Sequence, residues 1–183
     1  MQLVEPSEFY LASYTAALKT GWSPGSEALR HSELQKIASD PEDFLRLKAN
    51  NRKAEGAPIT LPDGSIVERL PGLTRWLWDD EFSGSINLRW PRKGCEMPSQ
   101  VRGHVGYVIV PWKRKRGYAT DALRQLLPIA RAEGLLYLDF VIEASNAPSK
   151  KVVERNGAFP KEYFQKQYTD DRSLECILYR LEL

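Results

Sequence analysis

The chain has 183 residues, of which 42% are hydrophobic and 27% charged, and its formal net charge is +2. These values are typical of a globular protein with a sizeable core, and so small a charge does not favour nucleic acid or an anionic membrane as a partner. The two cysteines, Cys95 and Cys176, lack metal-ligand spacing, so we expect reduced thiols and no metal site. With no signal peptide or membrane-spanning run evident, we expect one cytoplasmic domain over residues 1–183.

The N-terminal part of the chain is predicted to be helical. Apolar residues at helical spacing predict a helix over Phe9–Lys19. Ser26–Asn50 is predicted to form one or two helices, with Asp40 as a fresh N-cap. A turn is predicted over residues 61–64, where proline, aspartate and glycine follow one another.

Two strands are predicted next, over Thr74–Trp78 and Ser85–Trp90, joined as a hairpin through residues 79–84. Tryptophans on such strands usually lie in the core, although two of them could instead line a cage for an ammonium group. The acidic run at the start of the connection, Asp79-Asp80-Glu81, is expected to be a solvated turn. Its functional alternative is to steer a cationic substrate.

The most informative segment is a strand, a basic turn and a helix in succession. An apolar run, Val105–Val110, is followed by the cations Lys113–Arg116 and then by a helix predicted over residues 120–133. In this geometry, backbone N–H groups and a helix N-terminus converge on a phosphate. Gly117 and Ala119 let the backbone approach an anion closely. The segment therefore predicts a diphosphate site; its alternative is a solvated loop of charges.

The remaining elements complete a mixed α/β pattern. A strand is predicted over Tyr137–Ile142, a loop leading into a short helix over Asn146–Asn156, and a terminal strand over Ile177–Leu183. The early strands follow one another as a hairpin, whereas the helix after the basic turn connects two strands by a crossover. This order predicts a mixed sheet with helices on both faces.

The basic turn carries a recognisable signature. Its pattern, Arg114-x-x-Gly117-x-Ala119, resembles the [Q/R]-x-x-G-x-[G/A] signature of the GNAT N-acetyltransferase superfamily. Three neighbouring stretches resemble the family as well: the central strand at 106–111 and the second cofactor segment at 146–149 and 153–159. The close resemblance covers about residues 101–160.

The resemblance implies a fold and an activity. The family has a mixed, mostly antiparallel sheet of six to seven strands with splayed central parallel strands. Residues 101–160 would form the cofactor-binding core, and residues 1–60 a helical region on the acceptor side. The implied function is direct transfer of an acetyl group from acetyl-CoA to a primary amine in a ternary complex. A small molecule or a peptide would be the acceptor, and a homodimer is compatible with the family.

The family motif also implies which residues hold the cofactor. The pantetheine arm would run along the central strand, the diphosphate would lie on the basic turn, and the second segment would contact the far arm. The implied cofactor-binding residues are Ile109, Val110, Arg114, Lys115, Arg116, Gly117, Tyr118, Ala119, Thr120, Asn146 and Ser149.

Acetyl transfer requires a neutral amine, a stabilised oxyanion and a protonated leaving thiolate. The candidate bases are His104, Glu81 and Glu143; a histidine titrates in the right range but is also common as a structural residue. The oxyanion could be met by the backbone N–H of Val110 or its neighbour. Many family members have a tyrosine that protonates the thiolate, but Val153 stands at that position here. The thiolate would then be protonated by another residue, by water, or by no group of the protein.

Two other functions compete with acetyl transfer. A GNAT-like module could bind acyl-CoA as a regulator, in which case CoA binds without turnover; the valine at position 153 leaves room for this. A nucleic-acid-binding module could use Trp112 and Lys113–Arg116 on phosphates. It predicts salt-sensitive binding of single strands, but the low net charge argues against it.

Overall fold

The computed structural model describes residues 1–60, 64–92, 97–98, 101–169 and 172–183. Cys95 and most of the turn predicted at 61–64 lie outside these residues. The helices are α1 (Glu8–Lys19), α2 (Glu27–Ser39), α3 (Pro41–Ala49), α4 (Tyr118–Ala132) and α5 (Ala147–Glu154), with a short 3-10 turn at Pro111–Lys113. The strands are β1 (Gln2–Val4), β2 (Asn50–Asn51), β3 (Ile59–Thr60), β4 (Ile66–Val67), β5 (Gly72–Asp79), β6 (Glu81–Arg89), β7 (Val105–Ile109), β8 (Tyr137–Glu143), β9 (Phe159–Thr169) and β10 (Arg172–Glu182).

The predicted helices are confirmed. The segment 26–50 forms two helices, because the side chain of Asp40 accepts the backbone N–H of Asp43 at 2.9 Å and begins α3 at Pro41. In the part of the chain that the structure describes, no helix combines the length and the apolar character that crossing a bilayer requires.

The strands form two main sheets. The first has the order β1-β5-β6-β7, with β2 also paired to β5, and the second has the order β8-β10-β9; a separate hairpin joins β3 and β4. The two sheets meet just before β7. There the backbone N–H of His104 donates to the carbonyl of Asp139 at 2.8 Å, and the N–H of Asp139 donates to Nδ1 of His104 at 3.0 Å. Among the described residues no strand ladder joins β7 to β8, so the two strands splay as predicted.

Two hydrophobic cores lie on opposite faces of the sheet, because side chains along a strand alternate between its faces. On one face, Leu77 and Ile86 pack with α4 and α5; α4 buries Ala122, Leu123, Leu126 and Ala130. On the other face lies the α1 core, in which Tyr14 of α1 stacks on Trp76 with ring centroids 4.4 Å apart. The prediction of helices on both faces is confirmed.

The β5–β6 connection differs from the prediction. The predicted link over residues 79–84 is wrong: Asp80 alone reverses the chain, with a left-handed φ of 61°, and β6 begins at Glu81. Leu77 then faces Gly84 and Trp78 faces Phe82, which leaves Ser83 as an extra residue. This bulge shifts the alternation by one residue. Phe82 therefore joins the α1 core, whereas the later residues of β6 pack towards α4.

Strand β9 was not predicted. Its outer position in the β8-β10-β9 sheet leaves most of its side chains exposed. An edge strand of this kind carries a largely polar sequence without a clear hydrophobic alternation. Strand β10 is correspondingly longer than the terminal strand predicted from Ile177 onwards.

Candidate functional site

A cleft of about 630 Å³ opens beside the point at which β7 and β8 separate. One wall is β7, the second is the basic turn with the start of α4, and the third is α5. The residues that line the cleft are Tyr107, Val108, Ile109, Lys113, Arg114, Lys115, Gly117, Tyr118, Ala119, Thr120, Asn146, Pro148, Ser149, Lys151, Val152 and Arg155.

The wall formed by the basic turn presents backbone to the cleft. Gly117 is the N-cap residue of α4 and has a left-handed φ of 82°, a conformation that favours glycine. A Cβ added at this residue would meet no heavy atom within 4 Å. A ligand in front of the turn can therefore approach the first backbone N–H groups of α4, a helix of 15 residues. These N–H groups lack partners within the helix and attract anions.

The cleft is strongly positive. Five of its lining residues are lysine or arginine, and the described lining contains no aspartate or glutamate. The guanidinium of Arg114 donates through Nε to the carbonyl of Ile109 at 3.1 Å, which holds that side chain against β7. Lys113 is paired with Asp79 and Glu81 at the edge of the cleft, but the other four cations form no ion pair with a described residue. The arrangement therefore favours a ligand with several negative charges.

The acidic hairpin turn touches the basic turn. The carboxylate of Asp79 accepts hydrogen bonds from the hydroxyl of Tyr118 and from Nζ of Lys113, the latter at 3.2 Å. These two hydrogen bonds lower the pKa of Asp79. Glu81 lies 3.1 Å from the same lysine Nζ. The acidic run is thus tied to the edge of the cleft rather than being a freely solvated turn.

Nine of the eleven cofactor-binding residues expected from the sequence line the cleft, the exceptions being Val110 and Arg116. Val110 is buried in the α1 core, and its N–H donates to the carbonyl of Ser83 at 3.1 Å. Since successive N–H groups of a strand point to opposite edges, the N–H of Ile109 points to the other edge. Arg116 is exposed outside the cleft.

Seven lining residues were not among the predicted cofactor-binding residues, and three of these, Tyr107, Lys151 and Arg155, have polar side chains of note. Tyr107 lies half-buried in β7, and its hydroxyl donates to the carbonyl of Ser149 at 3.3 Å. Lys151 belongs to α5 and Arg155 is the C-cap residue of that helix, still in a helical conformation, so their four-residue spacing places them on the same helix face. This spacing is a signal that could have indicated both.

None of the three candidate bases lines the cleft. His104 is 3% exposed at the junction of the two sheets, where its ring packs edge-on against Tyr137. Burial lowers the pKa of this histidine. Its Nδ1 accepts the N–H of Asp139, so the ring has a clear structural role.

Glu143 ends β8 immediately before the turn that leads to the cleft. Its carbonyl accepts the N–H of Asn146, a lining residue, at 2.8 Å. Its carboxylate has a hydrogen bond with Tyr168, the extra residue of a bulge in β9, which also bonds to Cys176. Burial, Cys176 and Glu143 together raise the pKa of Tyr168 to about 12. Glu143 therefore has a phenol partner close to one end of the cleft.

Val153 is fully buried in the core that packs against α4. The position at which the family resemblance implies a tyrosine thus contributes packing here. Of the strand tryptophans considered for a cage, Trp76 is fully buried and Trp78 and Trp90 are half-buried; Trp112, next to the basic turn, is 45% exposed.

A family model described as an acetyltransferase (GNAT) domain matches residues 28–158 of the chain. The chain belongs to the GNAT acetyltransferase family. GNAT acetyltransferases use acetyl-CoA, which confirms the co-substrate expected from the sequence. The family match and the mixed sheet together confirm the predicted fold class.

Solved structures of GNAT enzymes share the fold. The Microcin C7 self-immunity acetyltransferase MccE, solved with acetyl-CoA and AMP, has a TM-score of 0.62 at 12% identity, over 99% of this chain and 91% of that one. A SpeG spermidine N-acetyltransferase chimera from Vibrio cholerae and hSSAT has a TM-score of 0.60 at 11% identity, over 100% and 96%. A ribosomal-protein-alanine N-acetyltransferase from Brucella melitensis has a TM-score of 0.58 at 16% identity, over 100% of both chains.

Proposed function

We propose that the protein is an acetyl-CoA-dependent N-acetyltransferase that transfers an acetyl group directly to a primary amine in a ternary complex. The observation that carries the proposal is the positive cleft, which combines a helix N-terminus, an open glycine turn and five cations beside the separated strands. This combination suits the diphosphate of CoA. The similar structures include a spermidine and a ribosomal-protein-alanine N-acetyltransferase, which supports an amine acceptor.

The chain would hold the co-substrate from three sides. The turn from Arg114 to Thr120 would bind the diphosphate, and Asn146 with Ser149 would contact the far arm of the cofactor. The outward edge of β7 would pair with the pantetheine arm, since the carbonyl of Ile109 faces the cleft residue Arg114. The oxyanion would then be met by the N–H of Ile109, because the N–H of Val110 is bonded to Ser83.

The reaction balances without a further reactant. The ammonium first loses a proton, and the neutral amine attacks the thioester carbonyl. The C–N bond forms, the C–S bond breaks, and the thiolate of CoA leaves. The nitrogen loses a second proton and the thiolate takes one up, so one proton is released to solvent in each turnover.

We propose Glu143 as the base among the three candidates. His104 has its Nδ1 occupied and its ring buried, and Glu81 is paired with Lys113. Glu143 lies at the end of β8, directly before the turn that carries Asn146. Its partner Tyr168 would orient the carboxylate as a positioning residue and could return a proton to the thiolate through water.

The test begins with calorimetric titration of acetyl-CoA and continues with thiol release on a panel of primary amines: a polyamine, an aminoglycoside, an amino acid, a peptide N-terminus and a lysine peptide. With the amine that reacts, intersecting double-reciprocal plots would support a ternary complex, whereas parallel plots would contradict it. We expect Glu143→Gln to lower kcat by about 100-fold while leaving acetyl-CoA affinity unchanged. Failure of the wild-type protein to bind acetyl-CoA would refute the proposal.

A second candidate is a non-catalytic acyl-CoA-binding module, which the buried Val153 favours. Without a tyrosine at this position, α5 offers no phenol to protonate the thiolate. This candidate predicts that acetyl-CoA binds normally but no amine in the panel releases thiol. Measurable turnover on any amine excludes it.

A further inference from the structure

The α5 wall of the cleft carries two cations beyond those of the diphosphate turn. Lys151 and Arg155 lie four residues apart and both line the cleft. Both side chains are exposed, and neither forms an ion pair with another described residue. The cations of the basic turn differ in this respect, because Lys113 is paired with Asp79 and Glu81.

The cleft carries more positive charge than is required to balance the negative charge of a diphosphate. A diphosphate diester carries two negative charges, and the N-terminus of α4 with Arg114 and Lys115 already faces them. The pair lies on the third wall of the cleft, and the end of this wall adjoins α4, where Nδ2 of Asn156 donates to the carbonyl of Thr120 at 3.2 Å. No carboxylate among the described lining residues balances it. A ligand that filled the cleft would bring these two cations a further anionic group.

We propose that Lys151 and Arg155 bind a phosphate monoester, which in the co-substrate is the 3′-phosphate of CoA. This inference rests on the proposed function, since it assigns part of the same cleft. It specifies the substrate class further: the protein distinguishes thioesters of CoA from those of dephospho-CoA. The helical spacing supports it, because two cations one turn apart can contact the same phosphate from the same side.

The experiment compares the affinities for CoA and dephospho-CoA by calorimetry at one fixed ionic strength. The two ligands share the diphosphate and the pantetheine arm and differ only in the 3′-phosphate. The test variant is Lys151→Gln combined with Arg155→Gln. The matched control is Lys150→Gln on the same helix; Lys150 lies outside the cleft lining, and its Nζ donates to the carbonyl of Ala144 at 2.7 Å.

We expect wild type and Lys150→Gln to bind CoA at least tenfold more tightly than dephospho-CoA. In the double variant this ratio should fall to about one, with the affinity for dephospho-CoA nearly unchanged. Equal affinities of wild type for the two ligands would overturn the inference. An equal loss of both affinities in the double variant would overturn it too, because the pair would then act only through the general field of the cleft. If wild type binds neither ligand, the proposed function itself fails.

Discussion

The glycine at the start of α4 offers a direct test of the diphosphate turn. We expect Gly117→Glu to abolish most acetyl-CoA binding while leaving the fold intact. A Cβ added at this position would meet no heavy atom within 4 Å, so the first atom of the new side chain causes no steric conflict with the protein. The cost to stability comes from the left-handed φ of 82° and amounts to about 1–2 kcal/mol for a residue with a Cβ. For a chain of 183 residues, each kcal/mol lowers Tm by about 2–4 °C.

The effect on binding follows from charge. A carboxylate about 4 Å from one phosphate charge repels it by about 1 kcal/mol in bulk water and by about 4 kcal/mol at the effective dielectric of a protein surface. Affinity for acetyl-CoA should therefore fall at least about fivefold, and the loss should shrink as salt screens the charges. Calorimetry at two salt concentrations measures both effects.

The chain contains a matched control at the other end of the same helix. Gly134 has a φ of 81°, and a Cβ there also meets no atom within 4 Å. Gly134→Glu should cost a similar free energy of unfolding, increased slightly by its position at the helix C-terminus, but it should leave acetyl-CoA affinity unchanged. If both variants lose affinity equally, or if Gly117→Glu binds as wild type does, the turn does not hold the diphosphate.

Two further predictions concern stability. Because burial lowers the pKa of His104 in the folded state, the unfolded chain gains a proton first as pH falls below about 6.5. Wild type should therefore lose stability between pH 7.5 and 5.5, by at most about 1.4 kcal/mol for each pH unit below 6.5. His104→Asn, which can still accept the N–H of Asp139, should lose less over the same range. In the α1 core, Glu33 is 5% exposed and accepts hydrogen bonds from Tyr14 and from Nζ of Lys48, the latter at 2.5 Å. Lys48→Met should lower the unfolding free energy by about 3 kcal/mol in urea denaturation, because a buried carboxylate loses its cation; a change below about 1 kcal/mol would contradict that role.

The parts of the site whose conformation is determined by residues adjacent in the sequence could be predicted from the sequence. Lys115, Gly117 and the helix that follows lie within one short segment, and their conformation depends mainly on local turn and capping preferences. The same holds for the N-cap at Asp40. A local pattern of this kind places the turn without knowledge of the rest of the chain.

The features missed from the sequence depend on contacts between distant residues. The bulge at Ser83 and the one-residue reversal at Asp80 depend on how β6 pairs with both neighbouring strands. Alternation of hydrophobic residues cannot reveal such a shift, because the pattern itself changes face at the bulge. Strand β9 was missed for a related reason: it is an edge strand, and its pairing with β10 is visible only in the assembled sheet.

The location of the cleft follows from where the sheet is closed and where it is open. The hydrogen bonds between His104 and Asp139 join the two sheets before β7 begins, and beyond them the backbone groups on the outer edge of β7 have no neighbouring strand among the described residues. Buried backbone groups require partners, and the carbonyl of Ile109 finds one in Arg114, a residue of the basic turn. The separation of two strands thus creates both an extended edge for a ligand arm and the space into which the cations of the turn and of α5 project.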